Sequence, residues 1–168
     1  GISTITSNDS AWAKDTLNKL SLREKIAQMM VYRMNMKFMN FDSEEWNEIE
    51  SLLKSDGIGV VHIWFGEAGS ALTMLNKMQK LSKVPLLVEG DIESGLGRRY
   101  AGAVTLPPMM AISATGNPQY AYKAGMISAI ESRSVGMHFN LAPVVDVNNN
   151  PKNPIINTRS FGEHPDSV

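Results

Sequence analysis

Two periods of apolar spacing take turns along this chain. The helical period comes first. "SNDSAWAKDTLNKL" opens on capping residues and spaces Trp12, Leu17 and Leu20 along one helical face. "SLREKIAQMM" sets Ser21 as an N-cap with Glu24 three residues later, the spacing of a capping box. It runs into a short apolar stretch around Met29 to Tyr32 that predicts a first strand. "DSEEWNEIESLLKSDG" is acidic at its start, gathers Trp46, Ile49, Leu52 and Leu53 on one side and meets Gly57 as a stop, which predicts a helix.

The pattern then changes. "IGVVHIWF" (Ile58 to Phe65) is a continuous apolar run of strand length, as expected of a strand buried on both faces. "SALTMLNKMQKLS" returns to the helical period with Leu72, Leu75, Met78 and Leu81 in register. "VPLLVEGD" predicts the next strand, "NPQYAYKAGMISAIESRSVG" a longer helix, and "MHFNLAPVVDV" a fourth strand. Such alternation implies parallel pairing through right-handed crossovers. An open doubly wound sheet and a stretch of a (β/α)₈ barrel both satisfy it, and a full barrel needs about 250 residues. In either fold the functional loops follow the strands. The polar, glycine-rich stretches do the same, at Trp64 to Gly69, Gly90 to Gly102 and Asn148 to Pro165.

Composition narrows the class. At 168 residues the chain reads as one domain, 1–168, with residues 1–10 expected to be flexible. Its 16 basic and 17 acidic residues are well mixed, so no basic stripe marks a nucleic-acid surface. No apolar run approaches the roughly 20 residues that span a bilayer. The opening "GISTITSNDS" has neither the basic start nor the apolar core of a targeting leader, and it leaves the compartment open. The absence of cysteine removes disulfides and thiolate metal sites; no metal or cofactor is expected. The methionines of Met29 to Met39 read as core and loop packing.

The chemistry concentrates in "VEGDIESGLGRR" (Val88 to Arg99). Three readings compete. A phosphate cradle fits poorly, because Leu96 and Gly97 stand where a P-loop needs Lys and Ser/Thr, and Tyr100 where a G-x-G-x-x-G needs its last glycine. A carboxylate pair fits better. Glu89, Asp91 and Glu93 alternate and would share one side of an extended strand, so the strand must end near Asp91. Neither Asp91 nor Glu93 has an obvious neighbour in the sequence to split their pKa values. The third reading is a clamp for hydroxyls: a carboxylate accepting from them, with an arginine donating to further oxygens. An ordinary loop ion pair with turn glycines is the bland alternative.

"NLAPVVDVNNNPKNPIINTRSFGEHP" (Asn140 to Pro165) shifts these weights. It resembles the signature region of family-3 glycoside hydrolases, in which a strand ending A-P-V-x-D precedes an asparagine/proline-rich loop and R-S-F-G-E-x-P. Upstream, "LSLREKIAQM" resembles the family's first helix, "VPLLVEGDIESGLGRR" its D-x-E-G-G segment, and "TLPPMMAISAT" its T-x-L-P-x-M-A-L-A-A-T segment. The resemblance runs from Trp12 onward. It implies that the chain is the first half of a TIM (β/α)₈ barrel that binds a carbohydrate.

By the same resemblance Asp91, Arg99 and Arg159 bind the non-reducing-end sugar. Ser94 departs from the pattern, as do Leu96 and Gly97, which bears on the choice between Arg98 and Arg99. "NPKNPIINTRSFGE" is similar to the β-N-acetylhexosaminidase branch, although broader-specificity bacterial members share the motif.

Family members resemble retaining enzymes whose aspartate nucleophile, lysine–histidine pair and histidine acid/base loop lie in the second half of the barrel. The resemblance therefore implies no catalytic residue up to Val168 and no turnover by these 168 residues alone. His62 and His138 read as core or layer residues, and His164 as a solvated loop position. A half barrel would expose its first and fourth strand edges to self-association. A β-glucosidase-type member, or a non-catalytic glycan-binding half-barrel, is the alternative.

Overall fold

The computed structural model describes residues 5–168. Of the segment 1–10, residues 1–4 lie outside the described residues, and Ser7 to Ser10 open helix α1 (Ser7–Lys19). Helix α1 forms behind a Thr6–Asp9 capping box, yet none of its residues is buried, and the face through Trp12 and Leu17 stays open. Nothing among the described residues covers it. Helix α2 (Leu22–Ala27) starts on the expected box: the Ser21 hydroxyl accepts from the Glu24 amide, and the Glu24 carboxylate from the Ser21 amide.

Strand β1 (Val31–Met36) begins two residues later than the apolar stretch suggests. Its residues alternate: Tyr32, Met34 and Met36 turn inward while Arg33 and Asn35 stay exposed, so its period is two rather than a solid apolar block. Helix α3 (Glu44–Ser51) buries Trp46 and Ile49 and relaxes into a π turn, Leu52–Asp56, that buries Leu53 and ends at Gly57 with φ 76°. Strand β2 (Val60–Glu67) leads to α4 (Ala68–Leu81) and β3 (Leu87–Gly90). After the short β4 (Tyr100–Ala101) come α5 (Met109–Ser113), α6 (Pro118–Ser134) and β5 (Phe139–Asn140).

The strands run in the order β1-β2-β3-β5, every pair parallel, with β4 joined to the end of β2. This order never reverses, so right-handed crossovers place successive helices on one face of the sheet. A doubly wound sheet needs a reversal to cover its second face. The chain is thus the first half of a (β/α)₈ barrel, helices on one side and the other side open.

On the helix-covered face, Met34, Met36, Val61, Ile63 and Val88 pack with Trp46, Ile49, Leu53, Met74, Leu75 and Met78 in one core. The face of α4 is rotated from the expected one: Ala71, Met74, Leu75 and Met78 are buried, and Leu72 is exposed. Two strands also differ from expectation. The end of β2 is not buried on both faces, because Trp64 is half-buried and Phe65 exposed. The fourth strand is short, pairing only with β3 before the chain leaves the sheet after Leu141. Ile63 is fully buried between sheet and helices. Ile63→Ala is expected to cost about 2–5 kcal/mol, read as a lower urea midpoint at unchanged slope.

Candidate functional site

Parallel register decides which side chains meet on the open face. Arg33 of β1 stands beside His62 of β2, which stands beside Glu89 of β3, itself beside Phe139 of β5. Two residues further along, on the same side, come Trp64 and, just past the end of β3, Asp91. The strand stops where three carboxylates in a row would otherwise have to share a face.

His62 is buried as expected, but it is also part of the polar row. Its Nδ1 lies 3.2 Å from Glu89 Oε1 and its Nε2 3.9 Å from Asp91 Oδ2. His138 differs from expectation. It is exposed, and its Nδ1 accepts from the Val88 amide at 3.1 Å, which requires that nitrogen unprotonated. Desolvation, and then Arg133, lower its pKa accordingly. His164 is exposed on its loop.

The loop after β3 is held by its own backbone. The Ile92 amide donates to the Asn140 side chain at 2.9 Å. Gly95 has φ 79°, and a Cβ there would sit 2.5 Å from the Val104 carbonyl oxygen; one on Gly97 would sit 2.4 Å from that of Ala103. The glycines therefore serve close packing of one loop arm on the other. The amides of Gly97, Arg98 and Arg99 are all engaged by the chain's own carbonyls, those of Val104, Gly95 and Leu96. Those three amides are therefore not available to cradle a phosphate.

The second loop is organised by asparagines. Asn150 and Asn153 side chains accept from the amides of Lys152 and Ile155, and Asn157 takes a positive φ of 42°. Ser160 is fully buried, its hydroxyl donating to the Asp146 carbonyl and accepting from the Gly162 amide. These bonds deliver Arg159 to the site. Its Nε and NH2 form a bidentate pair with the Glu93 carboxylate at 2.8 and 2.6 Å, and its NH1 donates to the Ile155 carbonyl.

The three residues expected to bind sugar line one concavity of about 450 Å³, together with Trp64, Phe65, Glu93 and Arg98. The volume falls within the range of about 300–1,000 Å³ usual for small-ligand clefts. Arg99, rather than the exposed Arg98, approaches Asp91. Its NH2 lies 3.8 Å from Asp91 Oδ2, and its Nε–H donates to the Asp91 carbonyl at 3.1 Å. The Asp91 carboxylate accepts no hydrogen bond from any described residue, so its acceptors are open to a ligand. Glu93 is the opposite case. Its hydrogen bonds from Arg159 hold its carboxyl below the ordinary range, so it is an ionised strut and a poor general acid. A neighbour that lowers Glu93 thus exists, 66 residues away in sequence.

Sequence reasoning missed Trp64, whose apolar context reads as core, and the Glu93–Arg159 pair. Period-two counting from Asp91 across the parallel strands would have found the row containing Trp64; no local signal announces the pair. Among the described residues no cluster of three or more potential ligands is arranged to hold a metal ion.

Fold and site together define a half-barrel with a cluster of carboxylates, arginines and aromatic rings at the carboxyl ends of its strands. Residues 21–168 match the glycosyl hydrolase family 3 N terminal domain, and the chain belongs to that family. A β-N-acetylglucosaminidase/β-glucosidase of Cellulomonas fimi is 28% identical over 155 residues, 90% of this chain and 26% of the relative. A β-hexosaminidase A of Pseudoalteromonas piscicida is 41% identical over 95 residues, 54% of this chain and 16% of that protein. Among solved structures, a β-glucoside phosphorylase bound to 2FGlc superposes with a TM-score of 0.86 at 26% identity, covering 97% of this chain and 28% of that one. A family 3 β-N-acetylglucosaminidase from Paenibacillus sp. str. FPU-7 gives a TM-score of 0.75 at 30% identity, with 88% and 28% coverage. The chain thus spans about a quarter or less of the length of these relatives.

Glu93 also generates a prediction. Because its folded-state pKa is depressed, the Glu93–Arg159 tie stabilises fully above the unfolded value of 4.5 and is lost as pH falls below it. With Arg159 43% exposed, the contribution is expected to stay below about 1 kcal/mol. Glu93→Gln should lower Tm at pH 7, and the difference from the parent should shrink as pH falls below 4.5, read by thermal melts across that range.

Proposed function

We propose that this chain is the N-terminal part of an exo-acting, retaining glycoside hydrolase that removes β-linked N-acetylglucosamine from non-reducing ends. Asp91 would accept hydrogen bonds from ring hydroxyls, Arg99 would donate to the same ring, and Arg159 would close the other side through the donors that Glu93 and Ile155 leave free. The observation that carries the reading is the Asp91 carboxylate, set in the concavity beside two arginine-bearing loops with its acceptors unused. The N-acetylglucosaminidase and hexosaminidase names of the relatives favour the N-acetyl sugar over glucose.

The aspartate nucleophile and the acid/base group are assigned to the second half of the barrel, leaving the 168-residue chain with recognition and no turnover. The open edges of β1 and β5 are then surfaces through which the isolated chain self-associates. A second reading concerns the acceptor. The β-glucoside phosphorylase likeness favours attack by inorganic phosphate, in place of water, on the glycosyl intermediate. A β-glucosidase and a non-catalytic glycan-binding half-barrel are the remaining alternatives.

The test uses aryl β-N-acetylglucosaminide and aryl β-glucoside, with and without inorganic phosphate, on the 168-residue chain and the full-length protein. The short chain should be inert and the full-length protein should prefer the N-acetyl substrate. Sugar 1-phosphate as product would establish phosphorolysis. Turnover by the short chain would overturn the division of labour. In the full-length protein Asp91→Ala should lower kcat/KM by about 10- to 100-fold, the loss of a charged hydrogen-bonding partner. An unchanged value would remove Asp91 from the site.

A further inference from the structure

Trp64 faces the proposed sugar site, and an aromatic ring in such a place invites reading as a platform for the apolar face of a pyranose. Its surroundings argue otherwise. The Arg99 guanidinium carbon lies 4.0 Å from the indole ring centroid, and that of Arg33, from the neighbouring strand, lies 4.1 Å from it. Guanidinium groups from two different elements thus lie over this one ring, and the Phe65 ring, at 5.2 Å from the Arg99 guanidinium carbon, is the more distant aromatic neighbour. Arg33 makes no hydrogen bond or ion pair with any described residue, so the indole is its one specific contact among them.

Stacking has a particular consequence for Arg99. A guanidinium presents its five N–H donors in its own plane, and a stacked ring fixes that plane without engaging any of them. Of those donors, only Nε–H is engaged by a described residue, at the Asp91 carbonyl. The Asp91 carboxylate, at 3.8 Å, limits where the NH2 edge points without capturing it. Arg159 is held in the contrary way, by hydrogen bonds to Glu93 and Ile155 that occupy three of its donors.

We infer that Trp64 is a positioning residue and not a sugar platform: its indole, with Arg33 held over the ring as well, sets the direction of the Arg99 guanidinium so that the free donors point into the concavity. This rests on the reading of Arg99 as a sugar contact.

The test is a double-mutant cycle in the full-length protein. KM and kcat are measured on both aryl glycosides, with melting curves to verify folding. Trp64→Leu should raise KM about tenfold with kcat little changed, and Trp64→Phe, which keeps an aromatic face, should recover to within about threefold. In the Arg99→Ala background Trp64→Leu should add less than about twofold, because there is no guanidinium left to orient. Arg33→Met should raise KM by about two- to threefold, also only while Arg99 is present. It decides the matter if Trp64→Leu fails to fold.

A full, undiminished effect of Trp64→Leu in the Arg99→Ala background would overturn the inference, because the ring would then be touching sugar itself. So would an unchanged KM in folded Trp64→Leu, or in Arg33→Met, while Arg99→Ala raises it. If Arg99→Ala leaves both substrates unaffected, the sugar-clamp reading itself fails and the inference falls with it.

Discussion

The parallel register of β2 between β1 and β3 is the constraint on which the site depends. Side chains on a strand alternate between faces, so a slip of one residue would exchange the two sets completely. In the observed register Met34, Val61, Ile63 and Val88 enter the core beneath the helices, while Arg33, His62 and Glu89 line up on the open face. The apolar set enforces this choice, since reversing it would bury Arg33 and Glu89 under α3 and α4. The polar row is therefore fixed by hydrophobic burial on the opposite side of the same strands, before any contact among its own members.

Within the concavity, the useful distinction is between groups whose hydrogen-bonding capacity is engaged and groups whose capacity is free. Glu93 and Arg159 satisfy each other and join loops 66 residues apart. Asp91 and Arg99 are brought close without being closed on one another, at 3.8 Å. A tight Asp91–Arg99 pair would be a better salt bridge and a worse binding site, because a ligand would have to break it. The burial of His62 beside Glu89 and Asp91 adds a polar floor that keeps Asp91 from facing an apolar surface.

Much of this was legible in the residues, for specific reasons. The order of helices and strands follows from period changes, and capping at Ser21 from a four-residue pattern that local hydrogen bonds realise directly. Asp91, Arg99 and Arg159 came from a family resemblance, and their convergence on one concavity is a property of the fold that no single segment contains. What failed was whatever depends on a partner distant in sequence. The face of α1 reads as amphipathic, but whether it is buried depends on what packs against it. Trp64 lies in an apolar run whose two sides differ only because one meets helices. His138 looks like a core residue until Val88, 50 residues earlier, offers it an amide.

The two loops show how such a site holds its geometry without being part of a core. The Arg159 loop is fixed by side chains of Asn150, Asn153 and Ser160, each acting on backbone within 14 residues of itself. The β3 loop is fixed by glycines that let its arms touch and by Asn140 at its base. Each loop is thus largely determined by its own segment, and the Glu93–Arg159 bond only has to join two shapes that already exist. Arg99 is the exception. Its side chain makes one hydrogen bond, to the Asp91 carbonyl, and its direction is otherwise left to aromatic rings of a different element, Trp64 foremost. The arginine with the most free donors is therefore the one whose aim depends on a side chain of the central sheet, whose position the packed core fixes.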